Sequence, residues 1–166
     1  GAAVSTCLEY SSTALGSDFN YTRLTIDGDY YITPFTYHTY RFRTMFMRTY
    51  DNPPLYKLFV FGGPHQFAGA EYQGIYGSKF IVFRLEYRYE HKRDIFLKAV
   101  VNSYVDPDIV NPVNQTVSQP KLGLGLGVMF TSILGPIDIM VTHGEGAYQA
   151  GKAKEIYFHF SAGMKF

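Results

Sequence analysis

The chain has 166 residues, 46% of them hydrophobic and 17% aromatic, with 15 Lys and Arg against 14 Asp and Glu. That length suits one domain, and the net charge of +1 gives no electrostatic case for a nucleic-acid partner. The single cysteine, Cys7, excludes an internal disulfide and a multi-cysteine metal site, and no run of about 18 apolar residues exists to form a transmembrane helix.

Mean hydropathy is close to zero. That value is compatible with a membrane β-barrel, because only alternate residues of each strand face lipid. The 15 Tyr and 14 Phe, with no Trp, favour strands, and Tyr suits the boundary between lipid headgroups and tails.

Eight strand-like stretches follow one another, separated by turn chemistry. The first is Ala2–Ser11, with Val4, Leu8 and Tyr10 on one side and Glu9 on the other. Thr13–Asp18 is a turn. The second is Phe19–Ile32, where Leu24, Ile26, Tyr30 and Ile32 oppose Arg23, Thr25, Asp27, Asp29 and Tyr31, and Thr33-Pro34 is expected to break it. The third is Thr36–Tyr50, with Tyr40, Phe42 and Phe46 opposing Arg41 and Arg43. A long loop rich in Pro and Gly runs from Asp51 to Tyr76.

The fourth stretch, Ser78–Glu90, alternates most cleanly: Ile81, Phe83, Leu85, Tyr87 and Tyr89 against Arg84, Glu86, Arg88 and Glu90. His91-Lys92-Arg93 is expected as a tight turn. The fifth, Asp94–Tyr104, places Ile95, Leu97, Ala99 and Val101 opposite Lys98 and Asn102. Val105–Pro120 is a polar loop. The sixth, Leu122–Ile133, sets Leu122, Leu124, Leu126, Val128 and Phe130 against Gly123, Gly125, Gly127, Met129 and Thr131. Leu134-Gly135-Pro136 is expected as a hairpin turn. The seventh, Ile137–His143, sets Ile137, Ile139 and Val141 against Asp138, Met140 and Thr142, and Gly144–Lys152 is a loop.

The last stretch closes the chain. Ile156, Phe158, Phe160, Ala162, Met164 and Phe166 alternate with Glu155, Tyr157, His159, Ser161, Gly163 and Lys165. Chain ends usually fray and carry polar residues. A terminal strand ending in Phe is how a bacterial outer-membrane barrel closes, with its apolar face toward lipid. Two architectures fit the alternation: a membrane barrel, or a soluble β-sandwich binding module that is also wet on one face. Strands of about ten residues match a tilted crossing of the bilayer and exceed the usual five or six of globular strands. The expected fold is therefore all-β, an antiparallel transmembrane β-barrel, with tight turns alternating with longer loops.

The segment Phe59-Val60-Phe61-Gly62-Gly63-Pro64-His65-Gln66-Phe67-Ala68-Gly69 is the second informative feature. Gly62-Gly63 permits backbone angles closed to other residues. This Phe-x-x-Gly-Gly loop, the strand with Leu85-Glu86-Tyr87-Arg88, the Gly123-x-Gly125-x-Gly127 strand, Leu134-Gly135-Pro136-Ile137-Asp138 and the closing Phe158-x-Phe160-x-x-Gly163-x-x-Phe166 occur in one order. That order resembles the bacterial surface antigen superfamily, the barrels of BamA-like assembly factors, two-partner secretion transporters and patatin-like autotransporters.

The resemblance implies that the loop at 51–76 folds into the barrel lumen, with Gly62, Gly63, Phe67 and Gly69 as its motif. It implies that Glu86, Arg88, Lys98, Gly123, Gly125 and Gly127 receive it, and that Phe158, Phe160, Gly163 and Phe166 form a signal read by barrel assembly machinery. Plain curvature at glycine kinks is the other reading of the three glycines. Assembly and secretion members usually carry an Arg just before the loop glycine. Here Ala68 stands there, which points toward the patatin-like branch, where a barrel of this kind anchors a lipid hydrolase.

No chemistry of its own is expected. No Gly-x-Ser-x-Gly nucleophile elbow is present. Gly123–Gly127 lacks the helix and spacing of a nucleotide loop, and His38, His65, His91, His143 and His159 have no ligand spacing. His159 is expected beside Glu155. No cofactor or metal is expected. In the family's layout this loop precedes the last five strands of about sixteen, so residues 1–166 are expected to be the carboxyl-terminal half of a barrel. Gly1–Val4 is no signal peptide, so the chain is expected to be a piece of a longer protein or to have lost its leader. The expected function is a membrane anchor and translocator in the bacterial outer membrane. Its partners are the bilayer and either the missing amino-terminal half or a second copy. The alternatives are an assembly or secretion barrel and the soluble module.

Overall fold

The computed structural model describes residues 1–51, 53–105, 120–132, 135–144 and 155–163. Glu155 is described in its backbone only. Ten strands form: β1 (Ala2–Ser11), β2 (Tyr21–Phe35), β3 (His38–Asp51), β4 (Phe59–Phe61), β5 (Ile75–Gly77), β6 (Lys79–Lys92), β7 (Ile95–Val105), β8 (Lys121–Ser132), β9 (Gly135–Gly144) and β10 (Glu155–Ala162). Eight of them make one antiparallel sheet in the order β1-β2-β3-β6-β7-β8-β9-β10, with β1 and β10 at its edges, and β4 and β5 pair separately. The expected strands follow one another as a meander, with an excursion between β3 and β6.

The alternation becomes two chemically distinct faces. Outward side chains are apolar and open: Val4, Leu8, Phe83, Leu124, Leu126, Ile156, Phe158 and Phe160 are each at least half exposed. A soluble monomer rarely leaves so continuous an apolar surface uncovered. Among the described residues no second large sheet covers either face, as the two packed sheets of a sandwich would require. Among the described residues no helix is long and apolar enough to cross a membrane.

Strand ends differ from the expected bounds where turn chemistry is local. Thr33-Pro34 does not end β2. The register shifts between Ile32 and Phe35, an irregularity that accommodates a residue without an N–H. The turn falls at Thr36-Tyr37, with Tyr37 at φ +70. Likewise β6 runs through His91-Lys92 with a shift after Glu90, and the turn is Arg93-Asp94, with Asp94 at φ +67. Gly135 and Pro136 belong to β9, paired with Ser132 and Thr131. The loop residues 106–119 and 145–152, the turn residue Leu134, and Met164, Lys165 and Phe166 lie outside the described residues, so the expected closing Phe is not placed.

An aromatic belt marks one end of the outward face, as expected at a membrane boundary. His38 Nδ1 lies 2.7 Å from the Tyr87 hydroxyl. The His38 ring also packs on Tyr89 at 5.1 Å between centroids, and Tyr40 packs on Tyr87 at 5.2 Å. At the other end Arg48 stacks on Tyr50 at 4.4 Å.

Candidate functional site

Between β3 and β6 the chain leaves the sheet and returns across its inner face. Leu55–Lys57 forms a 3-10 turn, and β4 and β5 pair Phe59 with Gly77 and Phe61 with Ile75. Residues between them curl into a compact plug. Gly62 sits at φ +137 and Gly63 at φ +86. A Cβ at Gly62 would stand 2.3 Å from the Glu71 carbonyl oxygen, so only glycine fits there. Gly63 N–H donates to Ala70 O at 3.2 Å and Phe67 N–H to Gly63 O at 3.0 Å, which closes the plug on itself.

The plug has an apolar heart. Phe61, Phe67, Phe80 and Tyr104 meet edge to face, with centroids 4.7 Å apart for Phe61–Phe80 and 4.8 Å for Phe67–Tyr104. Met45, Met47, Phe59, Ala70, Ile75 and Val82 complete the cluster. Phe67 is fully buried. Truncating it to Ala is expected to cost about 3–5 kcal/mol, read as a lower denaturant midpoint for the folded protein in detergent; an unchanged midpoint would show that the plug is not packed this way.

The wall residues of this cluster were not foreseen. The inner parity of these two strands was read from its charged residues, yet Phe80 and Val82 share the parity of Arg84 and Glu86, and Met45 and Met47 share that of Arg41 and Arg43. That break in polarity on the two strands flanking the long loop was the available signal.

Past the apolar heart the inner face becomes ionic. Arg41 grips Asp29 through two bonds of 2.6 and 3.0 Å, and Arg43 grips Asp27 through bonds of 2.9 and 2.5 Å. Glu86 accepts from Arg84 Nη2 at 2.8 Å and from Arg88 Nε at 2.5 Å. Lys98 pairs with Asp138 across β8. The partners of Glu86, Arg88 and Lys98 are thus other wall residues. Among the described residues, side chains that reach the plug backbone include Arg43, whose Nη1 donates to His65 O at 3.4 Å, and Asn102. His65 Nε2 lies 3.9 Å from Asp138 Oδ2.

The inward glycines divide into two groups. A Cβ at Gly123 would come within 3.0 Å of Ala68 O and Gly69 N, and one at Gly125 within 3.4 Å of Ala68 Cβ. Both lie directly under the plug. Gly127 does not: its crowding comes from Ile139 O and Met140 on β9. Gly144, which sequence reasoning placed in a loop, is the closest neighbour of all, with its Cβ position 2.5 Å from Gly69 Cα.

On β10, Phe158 and Phe160 face outward. Gly163 N–H donates to Pro136 O at 3.2 Å. His159 Nε2 is 2.9 Å from Thr142 Oγ1, and the side chain of Glu155, expected beside it, lies outside the described residues. Among the described residues no group of three or more His, Cys, Asp or Glu is placed to hold a metal ion.

Such a sheet, apolar outside and plugged inside by its own loop, has counterparts of known structure. The crystal structure of BamA from Haemophilus ducreyi lacking POTRA domains 1-3 superposes with a TM-score of 0.76 at 15% identity, covering 96% of this chain and 37% of that one. This chain therefore spans little more than a third of the length of that protein. No curated protein matches it. The sequence itself carries the family pattern over residues 1–166, that of the Omp85 superfamily domain, and the chain belongs to the Omp85 superfamily.

Proposed function

We propose that the chain is the carboxyl-terminal half of an Omp85-type barrel in the bacterial outer membrane, and that the complete barrel inserts or exports other proteins. The plug carries this reading. A lumen filled by Phe61, Phe67 and Tyr104 does not suit diffusion of small solutes, whereas an apolar outer face suits residence in lipid. The likeness in fold to BamA supports the same assignment. The rest of the barrel comes from a preceding segment or from a second copy, and Phe158, Phe160, Gly163 and Phe166 serve as the segment that assembly machinery reads.

A second reading is favoured by one observation. Ala68 is fully buried, with Gly123 and Gly125 against it, so the position that resembles an arginine site in assembly barrels cannot hold one here. That supports an anchor and translocator for a joined or partner lipid hydrolase. Depleting the protein that carries this chain separates the two. A fall in many folded outer-membrane barrels, read by heat-dependent gel mobility and quantitative proteomics, is expected for assembly. Loss of one surface hydrolase with the barrels unchanged would overturn that in favour of the translocator.

A further inference from the structure

Asn102 projects from β7 onto the inner face and is 2% exposed. With its amide oriented so that donor meets acceptor on both sides, Oδ1 accepts from Ala68 N–H at 2.7 Å and Nδ2 donates to Gly123 O at 2.8 Å. One uncharged side chain thus joins the plug to two wall strands. Beside it, backbone lies on backbone. The Cβ position of Gly69 falls 2.9 Å from Gly123 Cα and 3.0 Å from Gly144 Cα.

The nearby wall charges are engaged elsewhere. Glu86 is held by Arg84 and Arg88, and Lys98 by Asp138. The two hydrogen bonds are therefore made where water is excluded and no ionic partner competes, and leaving a buried amide unsatisfied is costly.

We propose that Asn102 is the positioning residue of the plug, an uncharged latch that holds Ala68 and Gly69 on a seat formed by Gly123 and Gly144. It holds this part of the loop without charge, while Lys57 ties the start of the same loop to Glu9 of β1 by an ion pair. The hold on Ala68 is consequently insensitive to salt, since screening acts on charges, whereas the contacts of Arg43 and Asp138 with His65 are charged. The latch operates whichever cargo the barrel handles, so it stands apart from the assignment above.

Residue-resolved hydrogen exchange on the full-length protein in native-lipid nanodiscs tests this. In the wild type the Ala68 amide is expected to be protected equally at low and high salt. Asn102→Leu is expected to speed its exchange at least tenfold and to expose Phe67 to chymotrypsin, while the β7–β8 ladder amides keep their protection. Asn102→Asp keeps the acceptor for Ala68 but sets a carboxylate against Gly123 O, and should fall between. Should Asn102→Leu fail to fold, Gly123→Ala, which presses on Gly69 from the seat, is expected to loosen Ala68 in the same way. Three results would overturn the latch: unchanged Ala68 exchange in the folded variants, ladder amides loosening together with Ala68, or wild-type protection lost in high salt.

Discussion

Replacing Glu86 by Ala is expected to destabilise the barrel by about 3–5 kcal/mol, because it leaves a buried cation without its partner. Glu86 is 1% exposed and Arg84 is 4% exposed. Arg84 already has one nitrogen, Nη1, with no hydrogen-bond partner among the described residues. Glu86 takes both Nε and Nη2 of Arg84 on one oxygen and Arg88 on the other. Without it, Arg84 and Arg88 both lose the carboxylate that holds them.

Removing both members of the buried pair should cost far less, since apolar groups of similar volume often replace an ion pair without loss. The check is reversible unfolding in detergent of Glu86→Ala, Arg84→Met and the combined variant. A double-mutant cycle with no coupling between the two sites would refute the pairing.

Arginine at Leu126 or Phe158 is expected to cost about 2–4 kcal/mol of folding into a bilayer if the site lies at mid-depth, and less toward either boundary. Leu126 is 69% exposed and Phe158 is 70% exposed. Val141 of β9 stands opposite each of them in the sheet. In water such exposure would be a liability; in lipid it is the correct side of the sheet. The same substitution at Leu126 should be nearly silent for a soluble protein, whose exposed positions tolerate charge. Folding yield into vesicles, measured by heat-dependent gel mobility, gives the result, and equal yields for Leu126→Arg and Leu126→Ala would sink the lipid-facing assignment.

Eight sheet strands, their faces and their order were legible in the sequence because period-two alternation is local. Each residue's side is set by its immediate neighbours along the strand. Ile81 to Tyr89 and Leu122 to Phe130 could be assigned to the outer face without knowing what they pack on. Turn positions were less legible. Pro34 and the 91–93 triplet carry turn chemistry, but pairing with the neighbouring strand carried β2 past Pro34 and β6 as far as Lys92. The energy of a continued ladder outweighed the local signal, and the mismatch was absorbed as register shifts after Ile32 and Glu90.

The candidate site was legible in its parts and not in its contacts. Gly62, Gly63, Phe67 and Gly69 could be singled out, as could Gly123 and Gly125, because glycine at a strand's inner parity leaves room for something. What fills that room depends on residues far apart in the chain. Asn102 reads in sequence as one more polar inward residue, and its bond to Ala68 exists only because β7 passes beneath the returned loop. Gly144 reads as the start of a loop until its approach to Gly69 is seen.

Alternation and glycine placement thus determined that this is an antiparallel β-sheet with one apolar face and one face carrying charges and glycines, since each is written in residues one or two positions apart. The tertiary structure alone decided how that second face is covered. An apolar plug heart, ion pairs kept within the wall and an uncharged latch arise from distances across the sheet, which strand alternation does not encode.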